Sequence, residues 1–208
     1  MWDQRYATDE YIFGTQPARF LERHGDLLTP GQHALSIADG EGRNAVFMAR
    51  KGLHVTAFDA SQNALSKAQK LATEHQVKLD FQLADIDQWA WSANTYDVVV
   101  GVFFQFAAPQ QRAAIFEGIK TTLKPGGLVL LHGYRPEQLE YATGGPPHRE
   151  NMYTEALLRE AFADFDIQLL RAYDEHINEG SGHVGMSALI DLVARKPGAT
   201  LPIDEVRS

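Results

Sequence analysis

Short apolar runs and amphipathic segments alternate along most of the chain. Residues 34–38 form one apolar run, and residues 53–58 form a second that ends at Asp59. Between them, a glycine turn at residues 40–42 precedes residues 44–51, where apolar side chains recur at helical spacing. The pattern predicts a buried strand, a tight turn, a helix and a second strand that carries an acid at its carboxyl end.

The same alternation continues towards the carboxyl terminus. Further strands are predicted at residues 77–83, 96–102, 128–132, 167–176 and 184–195, and further helices after Ser61 and at residues 109–123 and 154–162. A glycine-containing turn at residues 180–182 joins the last two strands as an antiparallel hairpin. Because strands that alternate with helices form a parallel sheet covered on both faces, we predict an α/β fold. We expect a Rossmann-like, doubly wound, mainly parallel seven-stranded sheet with an antiparallel hairpin at its C-terminal edge.

Composition limits the partners that the chain can have. Its 208 residues are enough for one domain with a substantial core. The formal net charge of −8 disfavours nonspecific binding to nucleic acids or anionic membranes, and no apolar run is long enough to span a bilayer. The absence of cysteine excludes disulfides and thiolate metal sites. Because the first residues lack the pattern of a signal peptide, we expect a cytoplasmic protein.

The positions of the glycine turn and of two acids indicate a class of ligand. In α/β proteins, ligands bind outside the carboxyl ends of parallel strands, where glycine lets the backbone approach them closely. Asp59, at such an end, can accept hydrogen bonds from both hydroxyls of a ribose. Asp85, after the third predicted strand, can accept one from an adenine amino group. The sequence therefore predicts a nucleoside-containing cofactor.

Two classes of cofactor compete for this site. Residues 40–45 match the G-x-G-x-x-G/A dinucleotide fingerprint, so an NAD(P)-binding oxidoreductase is one alternative. Against it, Glu41 places a negative charge in the turn where a pyrophosphate would bind, and the chain is short for an additional substrate domain. A sulfonium cofactor has no phosphate and is positively charged, so that nearby acids attract it. The sequence favours the sulfonium cofactor.

Several motifs resemble those of one family, in the same order along the chain. They are residues 38–45, 55–61, 96–100 and 123–127, with residues 2–6, 13–14 and 180–183 towards the two ends. On these motifs the chain resembles class I S-adenosylmethionine-dependent methyltransferases, and is similar to the bacterial tellurite-resistance and thiopurine-type enzymes. The resemblance implies methyl transfer to a small-molecule acceptor, such as a thiol or a chalcogen oxyanion. It also implies S-adenosylhomocysteine as the product and no requirement for a metal.

The resemblance implies a role for each matching residue. The cofactor contacts that it implies are Gly40, Glu41 and Gly42 for the methionine part, Arg43 and Asn44 at the helix start, Asp59, Ala60 and Ser61 for the ribose, Asp85 and Ile86 for the adenine, and Val102 and Phe103 for the sulfonium. Residues 1–208 would then form one methyltransferase domain. We expect an N-terminal lid at 1–30, a cofactor-binding core at 31–135 and a substrate-side region at 136–208.

Candidate catalytic groups and two departures from the family pattern complete the prediction. His183 in the late turn and His132 at the end of the fifth predicted strand are the candidate bases. Ser36 stands where relatives usually carry an acid, and nearby Asp39 is expected to point to the other face of an extended segment. Phe106 stands where many relatives carry histidine. These departures leave a noncatalytic S-adenosylmethionine-binding protein as a second alternative.

Aromatic and basic residues are the remaining candidates around the substrate. A lid is predicted from Trp2, Tyr6, Tyr11 and Phe13, an apolar pocket wall from Phe103, Phe104 and Phe106, and anion-binding groups from Arg5, Arg135 and Arg149.

Overall fold

The computed structural model describes residues 2–198, which form one seven-stranded sheet with helices on both faces. The strands are β1 (His33–Ile37), β2 (His54–Asp59), β3 (Asp80–Leu83), β4 (Tyr96–Val102), β5 (Leu123–Tyr134), β6 (Asp166–Asn178) and β7 (Val184–Arg195). They lie in the order β3-β2-β1-β4-β5-β7-β6. Neighbours among β1–β5 are parallel, whereas β7 is antiparallel to both β5 and β6. The predicted fold class is confirmed; residues 1 and 199–208 of the predicted domain lie outside the described residues.

Seven α-helices lie within the described range, two of them before β1 and the other five between strands. They are α1 (Trp2–Arg5), α2 (Arg19–Arg23), α3 (Arg43–Arg50), α4 (Gln62–Glu74), α5 (Pro109–Thr122), α6 (Gln138–Tyr141) and α7 (Glu155–Ala161). Two starts follow directly from sequence, because the Ser61 and Thr154 hydroxyls accept hydrogen bonds from backbone amides of the first turn of α4 and α7. Pro109 occupies the first turn of α5, where its missing N–H costs nothing.

The central strand β1 separates two apolar cores. Leu35 and Ile37 pack on one face with side chains of α5 and α7. Ala34 packs on the other face with side chains of α2 and α3. Because both faces are covered, the central strands β1 and β4 are mostly buried, and a ligand can approach them at their carboxyl ends.

Two segments differ in detail from the prediction. The third strand is shorter than predicted, because Gln76 has a left-handed backbone (φ 56°) and the Val77 amide still bonds the Ala72 carbonyl at the end of α4. Residues 124–127 end α5 as expected, but they belong to the first part of β5. The pairing of β4 with β5 shifts there, from Tyr96 opposite Leu123 to Val98 opposite Leu128.

In the described part of the chain, no helix combines the length and apolarity that crossing a membrane requires.

Candidate functional site

A large cavity lies at the carboxyl ends of the parallel strands. Its volume of about 740 Å³ is within the range of small-molecule sites. The first five strands provide its floor, and the N-terminal segment (residues 2–14), residues 144–148 and the β6–β7 turn provide its walls. Of the predicted site residues, those that line it are Gly40, Glu41, Arg43, Asn44, Asp59, Ala60, Asp85, Ile86, Val102, Phe103 and His183.

Two predicted cofactor residues do not line this cavity. Gly42 (φ 92°) precedes α3, and a Cβ there would lie 2.7 Å from the Cβ of Ala68 on α4. Glycine is therefore needed at this position for the packing of two helices. The buried Ser61 hydroxyl accepts a hydrogen bond from the Ala64 amide and donates one to Asp3 (2.7 Å). Both residues hold neighbouring elements of the site together without facing the cavity.

His132 is also outside the cavity, which corrects its prediction as a catalytic base. Its Nδ1 lies 2.6 Å from a carboxylate oxygen of Asp191, and both side chains are buried. One face of the imidazole stacks on Phe20 (centroids 5.0 Å apart), and Phe103 packs edge-on against the ring. Its position at the end of β5 was predicted correctly, but the sequence does not reveal that Phe103 covers the ring.

Asp59 connects the end of β2 to the glycine turn. Its carboxylate accepts hydrogen bonds from the amides of Gly40 and Ser61, both 2.9 Å long. Burial raises the pKa of Asp59 above its ordinary value, and these amide bonds act against that shift. The acid is thus held in a fixed orientation at the floor of the cavity.

Glu41 anchors the N-terminal segment. Its carboxylate, with only 1% of the side chain exposed, forms an ion pair with Lys67 (2.8 Å). It also accepts hydrogen bonds from the amides of Ile12 and Phe13, each 3.2 Å long. Opposite them, a Cβ at Gly180 would lie 2.4 Å from the backbone of the same segment, so that the β6–β7 turn approaches it closely. The segment is held between the glycine turn and the last hairpin.

Ser36 and Asp39 form a hydrogen-bonded pair, although their side chains were expected to lie on opposite faces of the segment. Ala38 adopts a left-handed backbone (φ 47°), which turns the chain after β1. As a result, the Ser36 hydroxyl donates a 2.6 Å hydrogen bond to Oδ1 of Asp39. Both residues line the cavity and are buried. The expectation that Asp39 points to the opposite face is therefore wrong, because the segment is not extended.

Asp39 has an unusual electrostatic environment. Burial raises the pKa of its carboxyl to about 7, with the nearby Asp59 carboxylate acting in the same direction. Its second oxygen, Oδ2, is buried and has no hydrogen-bond partner among the described residues. A buried polar atom without a protein partner is uncommon, so this oxygen is a candidate contact for a ligand in the cavity.

His183 lies in an aromatic enclosure on the other side of the cavity. Its ring packs edge-on against Phe103 and Phe13, with centroids 4.2 Å and 4.5 Å away, and against Tyr134 at 5.7 Å. Burial, and then the positive charge of Arg43, hold the pKa of this imidazole well below its usual range. His183 is therefore neutral at pH 7, and its buried Nδ1 has no partner in the part of the chain that the structure describes.

Three of the four aromatic residues predicted to form a lid line the cavity. Trp2, Tyr6 and Phe13 line the cavity, whereas the Tyr11 hydroxyl donates to the Lys67 carbonyl on α4. Arg5 also lines the cavity, where its guanidinium lies 5.0 Å from the ring centroid of Trp2 and 5.4 Å from that of Phe13. Cation–π contacts of this kind orient a charge that remains available to a ligand.

The other two predicted anion-binding arginines lie elsewhere. Arg135 forms ion pairs with Asp174 and Glu137, and Arg149 is exposed; neither lines the cavity. The predicted apolar wall is present, because Phe103, Phe104 and Phe106 all line it.

Sequence reasoning missed two residues that shape the site. The Gln105 side chain donates to the Tyr134 carbonyl and accepts from the Tyr134 amide, which ties the segment after β4 to β5. Glu179 forms a buried ion pair with Arg43 (2.8 Å) and accepts a hydrogen bond from the Arg19 amide. An acid directly before a Gly-Ser-Gly turn is the sequence signal for Glu179, whereas none marks Gln105.

Comparisons with known proteins agree with this geometry. Residues 34–127 match a family described as "Methyltransferase domain". Phosphoethanolamine N-methyltransferase from Triticum aestivum is 32% identical to the chain over 108 residues, which are 51% of this chain and 21% of that protein. The chain therefore spans only about a fifth of the length of that relative.

Solved structures share the fold along most of the chain. TehB from Haemophilus influenzae has a TM-score of 0.70 at 18% identity, with 94% of this chain and 65% of that chain covered. Magnesium protoporphyrin IX methyltransferase from Synechocystis PCC 6803 with bound SAH has a TM-score of 0.65 at 18% identity, with 86% and 80% covered. These structures share the predicted fold, and the family match over residues 34–127 agrees with the predicted class, an S-adenosylmethionine-dependent methyltransferase. The acids of the cavity and the unpartnered oxygen of Asp39 fit a cationic cofactor.

Proposed function

We propose that the chain transfers a methyl group from S-adenosylmethionine to a small acceptor that is anionic and has an apolar body, such as a thiolate or a chalcogen oxyanion. The observation that carries this proposal is the division of charge within the cavity. Acids line one half and are absent from the other half among the described residues.

The acidic half is formed by the ends of β1, β2 and β3. Its carboxyl groups belong to Asp39, Glu41, Asp59, Asp85 and Asp87. The methyl donor carries positive charge on its sulfonium and on its amino group, so that these carboxylates attract it. A pyrophosphate would instead be repelled, and the Glu41 carboxylate, held by Lys67 and two amides, cannot turn away. This favours the sulfonium cofactor over NAD(P).

The acceptor half is formed by the N-terminal segment and by the chain after β4. Its walls are aromatic, from Phe13, Phe103 and Phe106, and its polar groups include Arg5 and the neutral His183. A cation beside apolar walls favours a ligand that combines a negative charge with an apolar body. The resemblance to tellurite-resistance and thiopurine-type enzymes supports the same class of acceptor. A formed acceptor half also argues against a noncatalytic cofactor-binding protein.

Methyl transfer from S-adenosylmethionine requires mainly that the protein position the two reactants. S-adenosylmethionine supplies a methyl group that is already activated by its positively charged sulfur. The chain's own residues hold the acceptor in line, and the anchored N-terminal segment keeps water out. His183, as a neutral imidazole of lowered pKa, is a weak base. It can accept the proton of a thiol that is not yet ionised, whereas an amine or an aliphatic hydroxyl would need a stronger base.

The predicted organisation is consistent with this proposal. We infer a lid at residues 1–30, a cofactor-binding core at 31–135 and a substrate-side region at 136–208, since the two halves of the cavity draw on these regions accordingly. A cytoplasmic location and the absence of a nucleic-acid partner remain predictions from composition and charge.

Binding and activity measurements test the proposed function. Calorimetric titration with S-adenosylhomocysteine should give saturable binding, and titration with NAD(P) should give none. A screen of thiols, oxyanions, amines and phenols should then give methylation of anionic acceptors first. Tight NAD(P) binding would replace the proposal with the oxidoreductase, and cofactor binding without any methylation would favour the noncatalytic protein.

The Arg5 guanidinium allows a sharper test of the acceptor class. Arg5→Gln should raise KM for an anionic acceptor by roughly tenfold, because about 1.4 kcal/mol of charge attraction is lost, and leave KM for a neutral acceptor within about twofold. Arg50→Gln, an exposed change at the end of α3, is the charge-matched control. An equal rise for both acceptors in Arg5→Gln would contradict anion recognition.

A further inference from the structure

Among the carboxyl groups of the acidic half, and counting partners within residues 2–198, the buried Asp39 carboxyl has an oxygen without a hydrogen bond. The residue is 9% exposed, and its Oδ1 receives the Ser36 hydroxyl at 2.6 Å. Its Oδ2 is buried and has no partner among residues 2–198. Each of the other buried acids of the cavity, Asp59 and Glu41, accepts at least two hydrogen bonds.

The nearby Arg43 side chain does not serve as the partner of the Asp39 carboxyl. The nearest positive side chain on the same turn is Arg43, and its guanidinium pairs with Glu179 at 2.8 Å. The titratable groups that face Asp39 are Arg43 on α3, Asp59 at the end of β2 and the Tyr6 phenol of the N-terminal segment. Of these, the Asp59 carboxylate disfavours a negative charge on Asp39, the Tyr6 phenol is uncharged, and burial disfavours the charge most. The ligand-free protein thus has a protonation site within the cavity.

We propose that Asp39, oriented by the Ser36 hydroxyl, binds the amino group of the methionine part of the cofactor, and that this binding is coupled to the loss of the Asp39 proton to solvent. The inference rests on the proposed function. Relatives usually carry an acid at the position of Ser36. In this chain the carboxyl group belongs to Asp39, three residues later, and the Ser36 hydroxyl is hydrogen-bonded to it.

The N-terminus of α3 suits the methionine part of the cofactor, which carries both an amino group and a carboxylate. The amides at a helix N-terminus attract a carboxylate, and α3 begins at Arg43, directly after the glycine turn. The amino group of an amino acid is on the same carbon atom as its carboxylate. The buried Asp39, four residues before Arg43, then supplies the opposite charge that the amino group needs.

The sign of the proton linkage follows from the ligand's charge. In the ligand-free protein the pKa of Asp39 is about 7, so that the carboxyl is mostly protonated at pH 6. A bound ammonium group favours the ionised form and lowers this pKa. Binding therefore releases a proton below pH 7, and affinity decreases as the pH falls through that range.

Calorimetry with two ligands tests the inference without any turnover. The ligands are S-adenosylhomocysteine and its desamino analogue, in which hydrogen replaces the amino group. Each is titrated at pH 6 and pH 8.5 in buffers of different ionisation enthalpy, which gives the number of protons released. For the wild type, we expect roughly one proton released with S-adenosylhomocysteine at pH 6, about none at pH 8.5, and about none with the analogue at either pH.

Variants separate the carboxyl from the fold. Asp39→Asn should weaken S-adenosylhomocysteine binding by about tenfold or more and abolish proton release, and leave the analogue within about twofold. Ser36→Ala, which only removes the orienting hydroxyl, should produce a smaller loss for the same ligand. Asp26→Asn, an exposed change outside the cavity, is the charge-matched control.

The possible outcomes are distinct. Equal losses for both ligands in Asp39→Asn, or unchanged affinity and proton release, would overturn the assignment of Asp39 while the proposed function stands. Absence of any S-adenosylhomocysteine binding by the wild type would overturn the proposed function itself. If Asp39→Asn does not fold, Ser36→Ala and the wild-type proton count decide the question.

Discussion

Arg43 and Glu179 form a buried ion pair, 2.8 Å long, between the start of α3 and the β6–β7 turn. Arg43 lines the acidic half of the cavity, and the turn that begins at Glu179 carries His183. The Glu179 amide also donates to the His183 carbonyl at 2.8 Å. The pair therefore fixes the acceptor half relative to the cofactor half, across 136 residues of sequence (179 − 43).

Loss of this pair should be costly for stability. Glu179→Gln leaves the Arg43 guanidinium buried without its counter-charge, and such changes cost about 3–5 kcal/mol in the free energy of unfolding. Glu175→Gln is the control, because Glu175 pairs with Arg19 and Arg23 at the surface, where a loss below about 1 kcal/mol is expected. Urea unfolding of the three proteins measures both values. Equal stability of the two variants would show that the buried pair contributes no more than the surface one.

The Lys67–Glu41 ion pair should control how firmly the N-terminal segment is closed. Lys67→Met removes the counter-charge of a carboxylate that also binds the amides of Ile12 and Phe13. We expect hydrogen exchange of these two amides to accelerate by roughly tenfold, which corresponds to about 1.4 kcal/mol of local stability. The exposed Lys70→Met on the same helix is the matched control. If both variants exchange like the wild type, the segment is held by its aromatic contacts rather than by Glu41.

The alternation of strands and helices along the chain was sufficient to predict the fold, and the motif from β1 to β2 predicted the edge of the sheet at which the cavity lies. Periodicity identifies strands and helices, and the topology of parallel α/β units then brings Gly40, Asp59 and Asp85 to one edge. Periodicity does not predict the backbone dihedral angles of single residues. Alanine rarely adopts a positive φ, so the turn at Ala38 that joins Ser36 to Asp39 had no sequence signal. The position of His132 behind Phe103 depends on packing between distant elements, which the sequence pattern does not encode.

The raised pKa of Asp39 should appear as a pH dependence of stability. The folded-state pKa of about 7 lies above the ordinary value of 3.8, so that the native protein binds the proton more tightly than the unfolded chain does. The free energy of unfolding of the ligand-free protein should therefore decrease as the pH rises from about 4 to 7, by on the order of 4 kcal/mol from this group. Asp39→Asn should lack this component and be the more stable protein at pH 8. Parallel pH profiles for the two proteins, from chemical unfolding, would contradict the buried protonation site.

Loss of the His183 imidazole should lower kcat only for acceptors that bind in their protonated form. At pH 7.5 a thiol of ordinary pKa, about 8.5, must lose its proton, and the neutral imidazole is the group that can accept it. About a tenth of such a thiol is ionised at pH 7.5 without any base, so His183→Asn should lower kcat for it by roughly tenfold. The variant should change kcat by less than about threefold for a thiol of pKa below 6, which is already ionised. His176→Asn, at an exposed position of β6, is the control for loss of a histidine from the same hairpin. Thermal unfolding of the variant checks the fold, and we expect a midpoint close to that of the wild type if the packing around residue 183 is retained. Equal losses for the two thiols would assign His183 to positioning of the acceptor instead of proton transfer.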